Sequence, residues 1–272
     1  MKQLKITTGV AALILAMTAC DKNETEKVNS DDQVKQEVVA EDLMSEIDLL
    51  TDEVIDLQLG FEKSATIAEN YFIGDCPAVT FDKNSVPQKI TIDFGTGCTG
   101  PDGVLRSGKI IITSSQFENK TVERTITFDH FTSEEHSIDG EIAKTITRDV
   151  ENHSRTAAIT EGIEISFEDN TQLTRKASLT REHFFGLPLA ADNVTNTWGQ
   201  VTTTFPDDIT VTKTIAETTP LQFKLLCMQL VSGIATFDNG NRTWTIDYGD
   251  GECDNEATVT VNGVSKTVKL KK

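Results

Sequence analysis

The 272-residue chain predicts a mainly β fold: a large antiparallel meander forming a sandwich or a curved sheet, with one N-terminal amphipathic helix. From Tyr71 onward, runs such as GKIIITS, ERTITF, GEIAKTITR, GIEISF, GQVTTTF, DITVTKTI, RTWTID, ATVTV and KTVKL are rich in Thr, Val and Ile. Several alternate apolar with polar residues, as strands with one wetted face do. Gly, Asn, Asp and Pro punctuate them, with Asp139-Gly140, Asn239-Gly240 and Asn262-Gly263 as the strongest hairpin signals. Before residue 71 the apolar period is helical instead.

The chain opens with Lys2 and Lys5, followed by an apolar run from Val10 to Ala16. That run is too short to span a bilayer, which takes about 20 apolar residues. A basic start, a short apolar core and small residues before a cleavage point mark residues 1–19 as an export signal. The run closes in Met17-Thr18-Ala19-Cys20, which resembles the lipobox of bacterial lipoproteins, with Met17 where the family pattern prefers Leu. The resemblance implies lipidation at Cys20 by a diacylglycerol thioether and an N-linked acyl chain such as palmitate. Two or more acyl chains anchor stably where one is marginal.

Residues 20–32 then read as the lipidated Cys and a flexible acidic tether, DKNETEKVNSDD, with no core-forming residue. An acidic residue directly after the Cys resembles the surface-export signals of Bacteroidota lipoproteins, although Lys22 and Asn23 interrupt the acidic run. Cell-surface exposure is therefore preferred to the periplasmic leaflet.

Residues 33–70 carry the helix. Val39, Leu43, Ile47, Leu50, Val54 and Leu57 recur at alternating spacings of four and three, one helical stripe. Glu41, Asp42, Glu46, Asp48, Asp52, Glu53 and Asp56 occupy the other faces. The stripe predicts a helix packed on the body in preference to a coiled coil, which needs more heptads. Between Asp21 and Asn70 there are fifteen Asp or Glu against four Lys, a net −11 of the chain's −18. Nucleic acid and anionic head groups are poor partners for such a surface. The acidity reads as solubility and spacing from the membrane.

Residues 71–272 read as a single all-β domain, with Leu221 to Val231 its most ambiguous segment. A meander of about a dozen strands curls, splits or closes, and the acidic helix is a candidate cover for its concave face. The body says one phrase twice. CPAVTFDKNSVPQKITIDFGTGC and CMQLVSGIATFDNGNRTWTIDYGDGEC share Thr-Phe-Asp, a turn, then Thr-Ile-Asp-aromatic-Gly-x-Gly and Cys. These mark related hairpins at 76–113 and 227–270. With Cys20 lipidated, four cysteines remain and allow three pairings. The midpoint of Cys76 and Cys98 falls at Pro87, and that of Cys227 and Cys253 at Gly240, both in turn-like segments. Residues equidistant from a turn face each other, so Cys76–Cys98 and Cys227–Cys253 are the expected disulfides, each within its own hairpin. An exported location permits them.

Candidates for chemistry are weaker. Asp250, Glu252 and Asp254 share one loop and are a weak calcium candidate, short of the six to eight oxygens calcium takes. His130 and His136 flank Glu134 and Glu135, which read as a hairpin tip, while His153 and His183 have no local partner. HExxH, GxSxG, the P-loop and GxGxxG after a strand are missing. EHFFGLPLAADN concentrates Phe184, Phe185, Leu187 and Leu189 in a polar context, a plug or an apolar contact surface. Phe184, Phe185, Leu187, Trp198 and Trp244 are the candidate ligand contacts.

The chain as a whole resembles the outer-membrane lipoproteins of Bacteroidota in its lipobox, acidic leash and β-rich body with paired cysteines. The resemblance implies an outer-membrane address and brings no particular activity with it. The expected function is that of a membrane-anchored, non-catalytic surface lipoprotein with a binding or structural role. It would use no cofactor, hold the membrane through Cys20, take a glycan or protein partner and bind no nucleic acid. The alternative is a periplasm-facing carrier holding an apolar ligand in a curved sheet, which needs a hollow apolar interior. A hydrolase ranks below both.

Overall fold

The computed structural model describes residues 24–59, 76–186, 192–227 and 229–270. The signal segment, Cys20 and Leu187 lie outside these. One helix, α1 (Glu24–Leu59), precedes fourteen strands. These are β1 (Ala78–Asp82), β2 (Gln88–Thr99), β3 (Leu105–Ser114), β4 (Thr121–Ser133), β5 (His136–Asp149), β6 (Ser154–Ser166) and β7 (Gln172–Phe184). They continue with β8 (Val194–Thr204), β9 (Thr210–Ile215), β10 (Leu221–Lys224), β11 (Gln229–Asp238), β12 (Thr243–Asp250), β13 (Glu256–Val261) and β14 (Val264–Lys269). No described helix is long and apolar enough to cross a membrane.

The strands form one antiparallel sheet in chain order, with one irregularity. β9 and β10 lie end to end between β8 and β11: β9 pairs with Gly199–Thr204 of β8 and β10 with Val194–Thr197. They are one strand interrupted at residues 216–220, where Pro220 has no N–H to give a ladder. The ambiguous segment 221–231 resolves into β10, a turn and the start of β11. Among the described residues no ladder joins β1 to β14, so the sheet is open and the curved-sheet expectation is the one realised.

Alternation sorts the side chains. One register row runs Ile112, Ile126, Ile142, Glu161, Ala177, Val201, Lys213, Phe237 and Trp244 across nine strands, all on the inner face. The core on that face has two parts. Ala40, Leu43, Met44, Ile47, Leu50 and Val54 of α1 pack with buried residues of β2 to β8. Phe237, Trp244, Ile246, Tyr248, Val259 and Val268 form the second cluster, on β11 to β14. The predicted apolar stripe is thus internal: Leu43, Ile47, Leu50 and Val54 are buried and Val39 packs beside them. The side chains of Leu57, Glu53 and Asp56 lie outside those described.

Two local readings change. α1 takes in residues 24–32, assigned above to a tether; Glu and Lys are good helix formers and the segment runs into the amphipathic stripe without a breaker. Asp139-Gly140 is mid-strand in β5, whereas Asn239-Gly240 and Asn262-Gly263 do make turns. Gly140 is there because the neighbouring backbone comes close: a Cβ would sit 2.1 Å from the Gly162 carbonyl oxygen. The turn between β4 and β5 is instead made by Glu134-Glu135, the acidic tip. Both expected disulfides form, Cys76–Cys98 and Cys227–Cys253, each with Cα atoms 5.8 Å apart.

Candidate functional site

Among the described residues, charge concentrates between helix and sheet. With 3.6 residues per turn, Glu37, Glu41, Asp48 and Asp52 fall on one stripe beside the apolar one, and Glu46 falls on the opposite side. Each meets cations from the inner face of the sheet. Glu41 pairs with Arg175 of β7 at 2.8 Å and with Lys213 of β9. Asp48 pairs with Lys144 of β5 at 2.7 Å and Arg181 of β7 at 2.6 Å. Asp52 takes Arg155 of β6 at 3.0 Å. On the far side Glu46 takes Arg106 of β3 at 2.6 Å and both its oxygens accept from the Ser133 hydroxyl. Arg106 also reaches Asp102 at 2.6 Å, and Arg175 reaches Glu161 of β6 at 2.9 Å.

This geometry fixes the curvature. Strands lie about 4.8 Å apart, so β3 and β9 in a flat sheet are roughly 29 Å apart. A helix about 10 Å across cannot bridge that. The sheet must wrap α1 for Arg106 and Lys213 to reach carboxylates only five residues apart in the helix. The part of that acidity carried by Glu41, Glu46, Asp48 and Asp52, read above as solubility and spacing, is therefore an internal counter-charge to cations on the inner face of the sheet.

Electrostatics divides the carboxylates. Burial alone would raise Glu41, but Arg175 and Lys213 outweigh it and hold the carboxyl well below its ordinary range. Asp48 is held low against burial by Arg181 and Lys144, and Asp52 by Lys144 and Arg155. Glu37 and Glu46 go the other way. Burial, then the charge of Glu41, raises Glu37, whose Oε2 is buried without a hydrogen-bond partner. Burial raises Glu46 despite Arg106. Burial, with Glu41 nearby, also raises the Tyr248 hydroxyl of β12. His183 is lowered to about 4 by burial and by Arg155, and its Nδ1 lies 2.8 Å from the Thr195 hydroxyl.

The other sequence candidates separate. Phe185 is exposed, edge-on to His183 and beneath the Arg155 guanidinium. Phe184 ends β7, half-buried. Trp244 is buried and stacked on Phe237, a core residue rather than a ligand contact. Trp198 is half-buried against the second core cluster. Asp250, Glu252 and Asp254 do not converge; no metal-holding group of three acidic, His or Cys side chains occurs among the described residues. Lys224 instead donates to the Gly251 carbonyl of that loop at 2.7 Å. His130 is exposed beside Asp129, and His136 packs edge-on against Phe167.

Sequence reasoning missed the interior cations, although their signal is in the strands. Arg124 lies between Val122 and Ile126, Lys144 between Ile142 and Ile146, and Lys213 between Val211 and Ile215. Arg175 lies likewise between Leu173 and Ala177. Each sits on the apolar parity of its strand, where side chains share one face. No protein-family model matches the chain, and neither the curated proteins nor the solved structures contain a match.

Proposed function

We propose that the protein is a membrane-anchored, non-catalytic lipoprotein of the outer membrane, lipidated at Cys20, in which α1 mounts the β body and the outer face of the sheet does the binding. The observation that carries this is the occupied concave face. α1 fills it with apolar side chains and pairs Glu41, Glu46, Asp48 and Asp52 with six sheet cations. A groove used by the chain's own helix is not available as an apolar vessel. The helix also follows the anchor by only a few residues, so pull on the lipid reaches the body through a clamped element. The partner, a glycan or a protein, then meets the convex strands and loops.

Protease shaving of intact cells, read with an antibody to the C-terminal body, tests the address. The reading expects the signal to vanish without lysis, and Cys20→Ala to release the protein and abolish fatty-acid labelling. Full protection in intact cells, with digestion after lysis, would move the body to the periplasmic side. The carrier reading would gain only if α1 left the groove when an apolar ligand was added.

A further inference from the structure

Among the described residues the outer face carries a concavity where the sheet departs from regularity. At the interruption between β9 and β10 the chain turns out and back through residues 216–220, closed by the Thr219 amide donating to the Ala216 carbonyl. Register shifts fall on both neighbouring ladders, between Gln222 and Phe223 and between Ser232 and Ile234. Gly233 allows the approach: a Cβ there would lie 2.1 Å from the Pro220 oxygen. Bulges cluster beside functional sites because they re-aim side chains. The result is an open cleft of about 360 Å³ lined by Asn196, Thr218, Pro220, Gln222, Ser232 and Asp247. That is the lower end of small-molecule sites, about 300–1,000 Å³.

The lining selects the ligand class. Asp247 is the one ionisable lining group, so an anion meets repulsion and no counter-charge. A single carboxylate falls short of the oxygen set a divalent cation takes. Two amides, three hydroxyls and one carboxylate are also too polar for a hydrocarbon. The Gln222 amide nitrogen donates to the Asn196 amide oxygen at 3.1 Å, which orients both and leaves the Asn196 nitrogen to donate and the Gln222 oxygen to accept. The Gly249 amide holds Asp247 through Oδ1 at 3.0 Å, leaving its other oxygen to accept. Paired donors and acceptors at fixed spacing suit vicinal hydroxyls, each of which donates and accepts.

We propose that this cleft is a binding site for a neutral saccharide, held by Asn196, Gln222 and Asp247. The proposal rests on the outer face being the binding face. The test titrates the full chain in detergent with maltotriose, cellotriose, mannotriose and N,N′-diacetylchitobiose, followed by calorimetry. At least one should give a saturable change. Asn196→Ala with Gln222→Ala should weaken it about tenfold, the loss of a few hydrogen bonds. Thr218→Arg, on an exposed turn outside the ladders, should block it with the melting curve unchanged. No saturable change with any of the four, or binding that survives Thr218→Arg, overturns the proposal. Shaving is read independently: a surface-exposed body that binds no sugar sinks the cleft and leaves the surface reading standing, whereas a protected body that binds sugar sinks the surface reading and leaves the cleft standing.

Discussion

The two halves of the sheet solve the same problem with different chemistry. From β2 to β8 the inner face mixes isoleucines with buried or half-buried cations, and α1 completes it with both an apolar stripe and counter-charges. From β11 to β14 the inner face is Phe237, Trp244, Ile246, Tyr248, Val259 and Val268, and it packs on itself. The first half is incomplete without the helix, because removing α1 would strip Lys144 of Asp48 and Asp52 and leave Arg106 and Arg175 with Asp102 and Glu161 alone. The second half has no such debt. Charge inside a sheet therefore specifies which element covers it, and apolar surface alone does not.

The largest expected effect follows from the most buried pair. Arg175→Ala leaves Glu41 and Glu161 without their shared partner, and breaking a buried pair costs about 3–5 kcal/mol. Urea denaturation should show that loss, and hydrogen exchange should place it in β5 to β7 more than in β12 to β14. Leu50→Ala, at a fully buried helix position, should cost about 2–5 kcal/mol by opening a cavity in the first half. Reducing Cys227–Cys253, or replacing both with Ser, should cost about 2–4 kcal/mol through the unfolded chain. That change should loosen the second half and leave helix amides protected. Equal loosening of both halves in all three cases would erase the contrast.

Acid sharpens it. Glu41, Asp48 and Asp52 are held low, so the stability they contribute is present above about pH 4 and lost as pH falls through their folded values. His183, lowered to about 4, takes its proton more readily in the unfolded chain, so its contribution falls from about pH 6.5 downward. Glu37 and Glu46 are raised and oppose both, since protonating them relieves a cost of burial. Denaturation midpoints should drop most steeply below pH 4, and His183→Gln should flatten the slope above it. The smallest effect belongs outside: Lys109→Ala breaks an outer-face pair with Asp93 and should leave the midpoint unchanged within error.

Much of the fold was legible because alternation and turn chemistry are local. GKIIITS and RTWTID announce one buried face, and Asn262-Gly263 supplies the positive φ at both turn positions. The disulfides were legible for the same reason, since each closes over one turn. β7 was missed: QLTRKASLTREHF breaks the apolar pattern with Arg175 and Arg181, and both point inward toward α1. Asp139-Gly140 misled because a glycine forced by a neighbouring strand looks like a glycine forced by a turn. The partner of a buried cation is a fact of tertiary structure. Here it lies well over a hundred positions away for Arg175 and Glu41, too far for any spacing rule.

The most direct test of the helix as core is native-state hydrogen exchange across residues 40–54. If α1 is clamped inside the sheet, those amides exchange only with global unfolding, at the rates of β6 and β7. Exchange orders of magnitude faster than the sheet, as from a helix lying loose on the surface, would contradict the account.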